Sequence, residues 1–450
     1  MNKSTFNTRV AGGLLFVALG VALGICAHAQ DVTNLHRFTL DNGLRVWHLE
    51  RTESGSVAAQ LSVNVGCRND PEEKSGITHF VEHMTFAGSE RYDRTSLMEM
   101  LDRRGGTQNA FTKDEQTVFC GEIASKNFDL LMDWLSQVAF HPTFPEDRVD
   151  GERSVIVAEK GGKKGWLRAG MEALGQDANL GRELREGLFP KSSLLHDGLG
   201  SDRSLEAITH ADLVAYYRMH YMPNNATLVV SGNITPERVR EVCNEYFGTL
   251  KPGTLPQACA SPTFPDKAPG TRTLRAVTFE KQSTVLMGVR TCSEKDPDRW
   301  PLYVLSELLD RSLMAEGRYK RALAYGIGSG NDFFSDSGCF YISTSCKQRH
   351  LKELKEVIEE QINLIRDGKV DAAALADAKE SLNGRWTLSM QTNWRYIGWL
   401  AWLARVYSNT ERIPDRQALI DAITAEELTR VVKTYFVPER TCVAQHIPLL

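Results

Sequence analysis

The 450-residue sequence has no Cys-x-x-Cys pair, no run of basic residues and, after its first thirty residues, no apolar stretch of membrane-spanning length. The first absence argues against a cysteine zinc ribbon. The second, with a formal net charge of −4 and a pI near 6.3, argues against nucleic acid as a partner. The third leaves no stable membrane span in the body of the chain. The composition is at neither extreme: 42% hydrophobic and 24% charged residues are proportions of a folded, soluble chain. At this length one ordinary core is not enough, so two or three domains are expected.

The first thirty residues stand apart. Lys3 and Arg9 precede the apolar run AGGLLFVALGVALGICAHAQ, which closes on Ala27-His28-Ala29. A basic start, a short apolar stretch and a small-x-small site are the parts of a bacterial-type export signal, residues 1–29, with the mature chain starting at Gln30 in the periplasm or outside the cell. Removing Cys26 with the signal leaves Cys67, Cys120, Cys243, Cys259, Cys292, Cys339, Cys346 and Cys442. An even set of eight in an oxidising compartment leaves both disulfides and buried free thiols open.

A Pro-, Gly- and Thr-rich segment, residues 250–273, reads as a linker between halves at 30–249 and 274–450. The halves echo one another. VAAQLSVNVGCRNDPEEKSGITHFVEHM and STVLMGVRTCSEKDPDRWPLYVLSELLD both run from a strand through an Asp-Pro turn into a helix, with Asp70-Pro71 matching Asp296-Pro297 at an offset of 226. Each half also closes on an Ile-Thr helix start, a helix, a proline and a strand, from Ile208 and from Ile423. The expected fold is α+β, duplicated, each half a mostly antiparallel sheet packed with helices.

Chemistry concentrates at GITHFVEHMTFAG, residues 76–88. His79 and His83 are one helical turn apart on one face, and Glu82 adjoins it. Two imidazoles so placed can grip one zinc with a carboxylate beside a water. This is the His-Glu-x-x-His order of zinc proteases reversed. With 11 histidines in the chain, chance would give such a pentapeptide about 0.02 times; a solvated helix face is the bland alternative. In the second half Leu305, Leu308 and Leu309 stand at the matching positions. A catalytic zinc needs a third protein group. Glu152 and Glu159, two turns apart on one predicted helix face before Gly161-Gly162, are candidates that read equally as surface glutamates.

His-x-x-Glu-His followed by Glu-x6-Glu, the last glutamate 76 residues beyond His83, resembles the pitrilysin family of inverted zinc peptidases, which includes insulysin and the mitochondrial processing peptidases. FTLDNGLRVWHLE looks like that family's first strand and GGTQNAFTKDEQTVF like its edge-strand region. The resemblance covers nearly the whole mature chain and is to the short, two-domain type. It implies one zinc ion per chain on His79, His83 and Glu159, Glu82 as general base, and Glu152 supporting the site. It implies that Asn109, Ala110 and Phe111 lie along a docked peptide. It further implies that Arg318 and Tyr325, in GRYKRALAYGIGSG, face the zinc from the second half. Ala322 stands where the family has glycine and Arg321 adds a second arginine, so Arg318 and Arg321 both remain candidates. The aromatic stretch NWRYIGWLAWLARVY reads instead as core or inter-half packing.

The expected function is an exported zinc endopeptidase acting on peptides or unfolded polypeptides, working as a homodimer or beside a related subunit. The alternatives are a non-catalytic chamber or scaffold subunit of the same family, which would need a broken motif, and a small-molecule enzyme such as the S-ribosylhomocysteine lyases, which would leave the second half unexplained. Export has its own test. N-terminal sequencing of protein recovered from an envelope fraction should begin at Gln30, and a cytosolic protein beginning at Met1 would contradict it.

Overall fold

A computed structural model describes residues 34–162, 179–263, 270–276, 282–408, 410 and 413–448. The expected export signal, with Cys26, lies outside the described residues. The first sheet contains β1 (Leu35–Thr39), β2 (Arg45–Glu50), β3 (Ser56–Val63), β4 (Thr107–Thr112), β5 (Thr117–Ala124) and β6 (Ala226–Gly232) in the order β1-β2-β6-β3-β5-β4. The second contains β7 (Gly270–Ala276), β8 (Gln282–Thr291), β9 (Ala324–Phe333), β10 (Gly338–Lys347) and β11 (Thr441–Pro448) in the order β7-β11-β8-β10-β9. In each sheet one pair is parallel, β2 with β6 and β7 with β11, and the others are antiparallel. The second order repeats the first strand for strand from β2 to β4. The duplicated, mostly antiparallel α+β architecture expected from the two sequence echoes is therefore present.

The longer helices are α1 (Ile77–Thr85), α2 (Phe128–Phe140), α3 (Val149–Glu159), α4 (Leu180–Leu188), α5 (His210–His220), α6 (Pro236–Phe247), α7 (Arg299–Leu313), α8 (Leu351–Arg366), α9 (Ala372–Ser389), α10 (Asn393–Val406) and α11 (Ala425–Tyr435). On one face of the first sheet, α1, α2 and α6 bury Phe80, Met84, Trp134, Leu135 and Phe247 against Leu61, Phe119 and Leu228. On the second, α7, α8 and α11 bury Leu305, Leu309, Val357 and Val431 against Val289 and Phe340.

The remaining faces are covered reciprocally. Helix α10 of the second half packs Ile397, Leu400 and Leu403 on Trp47, Ala58 and Val229 of the first sheet. Helix α4 of the first half packs Leu184 and Leu188 beside Cys339, Cys442 and Ala444 of the second. Each half thus lends a helix to the other's sheet, and the Trp- and Tyr-rich stretch is inter-half packing. Its polar anchor is Asn393, which donates to Ser54 Oγ at 2.7 Å and Ser56 O at 2.9 Å and accepts from Arg51 Nη1 at 2.8 Å.

Two details differ from the sequence reading. FTLDNGLRVWHLE is a hairpin, β1 and β2, because Asn42-Gly43 turns the chain with Gly43 at φ +86°. Strand β7 begins at Gly270, inside the segment expected as linker, because β11 offers it a parallel edge. All eight cysteines from Cys67 to Cys442 are free thiols, and all but Cys259 are buried.

The anchor generates a test. Asn393→Ala leaves Ser56, Ser54 and Arg51 short of a partner, and unmade buried hydrogen bonds cost about 1–3 kcal/mol. The urea midpoint should fall accordingly; an unchanged midpoint would show that α10 is held by its apolar face alone.

Candidate metal centre

Helix α1 starts where it does because an aspartate outside it takes its orphan amides. Asp70 accepts from Gly76 N at 2.6 Å and from Thr78 N at 3.2 Å, and Tyr216 of α5 closes the group through Thr78 Oγ1 at 2.7 Å. Gly76, at φ +94°, makes the left-handed turn into the helix. Ile77, Phe80, Val81 and Met84 lie in the core. That burial turns the opposite face, with His79, Glu82 and His83, toward α3 and β4.

Helix α3 brings Glu159 to this face. Its Oε2 is 3.7 Å from His79 Nε2 and 3.5 Å from His83 Nε2. One ligand atom from each of the three residues lies within 4.8 Å of the others. Zinc bonds of about 2.0–2.1 Å at tetrahedral angles place neighbouring donors about 3.3–3.5 Å apart. The donor set and spacing therefore fit a zinc ion. Two helical turns earlier, Glu152 Oε2 lies 3.3 Å from His83 Nδ1, leaving Nε2 to face Glu159. Arg94 holds the other oxygen of Glu152. By contrast His79 Nδ1 is buried without a partner, so packing holds that ring, edge-on to His83 at 4.6 Å between centroids.

The titration of the cluster follows from burial and from these contacts. Burial and then the neighbouring His83 drop His79 to about 4, keeping its imidazole neutral. For His83 burial pulls down, but Glu152, Glu159 and Glu82 outweigh it and raise the ring. Glu152 is held below the usual carboxylate range: burial opposes this, but His83 and Arg94 prevail. Glu82 is only 6% exposed. Burial pushes its carboxyl up to about 6, against a hydrogen bond from Thr112 Oγ1 at 2.9 Å.

Thr112 ends β4, one of the two edge strands of the first sheet among the described residues. Asn109 and Ala110 of that strand line the same open cleft as Glu82, His83, Val155 and Glu159. Phe111 is not part of that lining; it packs with the aromatic cluster beneath α10 and under Lys113, 5.0 Å from its ring centroid. Arg318 and Tyr325 stay together, the guanidinium carbon 4.5 Å from the ring centroid, with Tyr325 81% exposed at the start of edge strand β9. Among the described contacts none joins this pair to the His79 cluster. Arg321 is tied to Glu360 at 2.8 Å, so Arg318 is the arginine stacked on Tyr325. Ala322 has φ +51°, a left-handed position that explains a glycine preference there. The matching residues of α7, Leu305, Leu308 and Leu309, are core.

Residues 45–172 match the family model described as Insulinase (Peptidase family M16), and residues 207–382 match Peptidase M16 inactive domain. The chain belongs to the M16 peptidase family. Its relatives include an uncharacterized zinc protease of Bacillus subtilis, 25% identical over 80% of this chain and 85% of the relative. The mitochondrial-processing peptidase subunit beta of Blastocladiella emersonii is 25% identical over 88% of this chain and 85% of the relative. Among solved structures, a protease from Helicobacter pylori superposes with a TM-score of 0.81 at 20% identity, covering 92% of this chain and 99% of the other. The periplasmic protease PqqL of Escherichia coli gives 0.74 at 18% identity, covering 92% of this chain and 48% of that one. Relatives of this M16 chain are thus named as zinc proteases, and no helix among the described residues is long and apolar enough to cross a membrane.

Sequence reading missed Asp70, Arg94 and Thr112 as supports of the cluster. Only Asp70 had a local signal, the Asp-Pro turn before the helix. Asp70→Ala leaves two helix amides unpaired, and an unmade buried hydrogen bond costs about 1–3 kcal/mol. The variant should bind zinc more weakly and melt earlier; unchanged zinc affinity and melting would remove Asp70 from the account.

Proposed function

We propose that this chain is an exported zinc metalloendopeptidase that cleaves extended peptides. The observation that carries the reading is the convergence of His79, His83 and Glu159 beside a buried Glu82, in a cleft whose wall is a free strand edge. His79, His83 and Glu159 would hold one zinc ion, with Glu152 orienting His83. Zinc, when bound, brings the pKa of a water to about 7 and polarises a carbonyl oxygen.

The side chains supply the rest. Glu82 accepts a proton from the attacking water and returns it to the leaving amine. A carboxyl pushed up to about 6 suits both transfers near neutral pH. Thr112 fixes which way that carboxylate faces. A peptide added to the β4 edge beside Asn109 and Ala110 would be held mainly by backbone hydrogen bonds, which demands an extended chain and few particular side chains. On the second half, the half-buried Arg318 and the exposed Tyr325 would be the donors for a developing oxyanion, within one chain or across a dimer. The periplasm or the cell exterior is the expected site of action, and a second copy or a related subunit the expected partner; the mitochondrial relative is itself named as a subunit. The two-half division, 30–249 and 274–450 about a linker at 250–273, belongs to the same reading. A non-catalytic chamber subunit is the other family role. It is disfavoured because the first half keeps every group the chemistry needs, while only the second half has leucines at the matching positions.

Glu82→Gln should keep zinc and lose turnover, whereas His79→Ala should lose both. An active Glu82→Gln enzyme would sink the mechanism. Losing one oxyanion donor typically costs about 100- to 1000-fold in turnover. Tyr325→Phe and Arg318→Ala should fall in that range with zinc retained, and Arg321→Ala should not. If the Tyr325→Phe and Arg318→Ala variants keep wild-type turnover, the second half is scaffold. Activity regained on mixing Glu82→Gln with Tyr325→Phe chains would mean that the site is shared between two copies.

A further inference from the structure

The β4–β5 turn, residues 113–116, is held from both halves of the chain. Glu115 Oε1 accepts from Arg68 Nη1 at 2.7 Å and from Ser335 Oγ at 2.6 Å, and Oε2 accepts from Ser335 N at 3.0 Å. Arg405 on α10 stands 3.6 Å from the same carboxylate. Arg68 is 3% exposed, and its other edge forks onto Asp336, with Nη2 to Oδ2 at 2.6 Å and Nη1 to Oδ1 at 3.0 Å. Ser335 and Asp336 form the turn between β9 and β10. Strands β9 and β10 occupy the positions in the second sheet that β4 and β5 occupy in the first. Two equivalent hairpins therefore meet tip to tip through a nearly buried arginine.

This junction lies a few residues from the metal cluster along two routes. Three residues before Glu115 is Thr112, whose hydroxyl holds Glu82. On the other route, Cys67 N and Arg68 N donate to Lys113 O at 3.0 Å and Asp114 O at 2.9 Å. Gly66 leaves no room there: a Cβ would sit 2.3 Å from Lys113 O. Two residues beyond Arg68, Asp70 caps α1. The hairpin that meets Glu115 is also the far end of β9, which begins with Ala324 and Tyr325.

We propose that Glu115 and Arg68 are positioning residues through which the second half holds the β4–β5 turn, and with it Thr112 against Glu82 and the strand edge beside it. The claim about catalysis rests on the peptidase reading; the mechanical coupling does not. Removing either acid leaves Arg68 paired with the other, so the variants avoid the uncompensated buried charge that would unfold the protein.

The test has two arms. In the zinc-loaded full chain, Asp336→Asn changes only the second half. It should raise amide exchange of residues 107–117 in the first half by about tenfold, as well as that of its own hairpin. In the kinetic arm, Glu115→Ala should lower kcat by up to about 100-fold, the scale of a small misplacement of reacting groups, with KM changed less than about twofold. Combined with Thr112→Ala, it should cost little more than Thr112→Ala alone, because both act through one hydroxyl. Exchange that rises only at residues 334–337, or losses that multiply in the double variant, would overturn the proposal. Wild-type protein that carries zinc yet cleaves no peptide would remove the peptidase reading, and the exchange arm would still decide the coupling.

Discussion

Two imidazoles and a carboxylate are crowded together on α1 and α3, one ligand atom of each within 4.8 Å of the others, and the structure around them depends on what that crowding requires. His79 and His83 face Glu159 through their Nε2 atoms at spacings of a tetrahedral cation site. Three carboxylates, Glu82, Glu152 and Glu159, so close together favour positive charge among them, and they raise His83 accordingly. Their geometry then has to be maintained by the surroundings. Asp70 fixes where α1 begins, Arg94 and Glu152 fix the rotation of His83, and Thr112 fixes Glu82. Asp70 and Arg94 lie close to the metal helix in sequence, whereas Thr112 and Glu152 reach it only through the fold.

The duplication shows what the fold needs and what the chemistry adds. Both sheets have the same strand order, yet where the first half has His79, Glu82 and His83 the second has three leucines that fill its core. The scaffold is thus stable without the site. What neither half has alone is a cover for its second sheet face. Helix α10 supplies it to the first and α4 to the second, so each half's sheet is covered in part by the other. Charge pairing at Arg68 and Glu115 adds direction to that apolar contact.

Much of this was legible in the sequence because its signals are local. A period of four puts His79 and His83 on one face, and an Asp-Pro turn before each helix with an Ile-Thr start near each end reveals the repeat. The Asn42-Gly43 hairpin signal is equally local, although the family resemblance takes that stretch as a single strand. Glu159 was reachable only by resemblance, since nothing in a glutamate 76 residues from His83 says where its helix packs. Arg94, Thr112 and Glu115 are illegible for the same reason: their roles come from pairings between elements distant in sequence. Strand β7 was obscured because a Gly- and Thr-rich stretch becomes a strand only when β11 is beside it.

The central claim is that His79, His83 and Glu159 share one zinc ion. The direct measurement is anomalous X-ray scattering from crystals of the mature chain, recorded just above and just below the zinc edge. The account predicts one difference peak per chain at bonding distance, about 2.0–2.2 Å, from His79 Nε2, His83 Nε2 and a Glu159 oxygen. A zinc-replete crystal with no peak there, or with its peak on other residues, would contradict it.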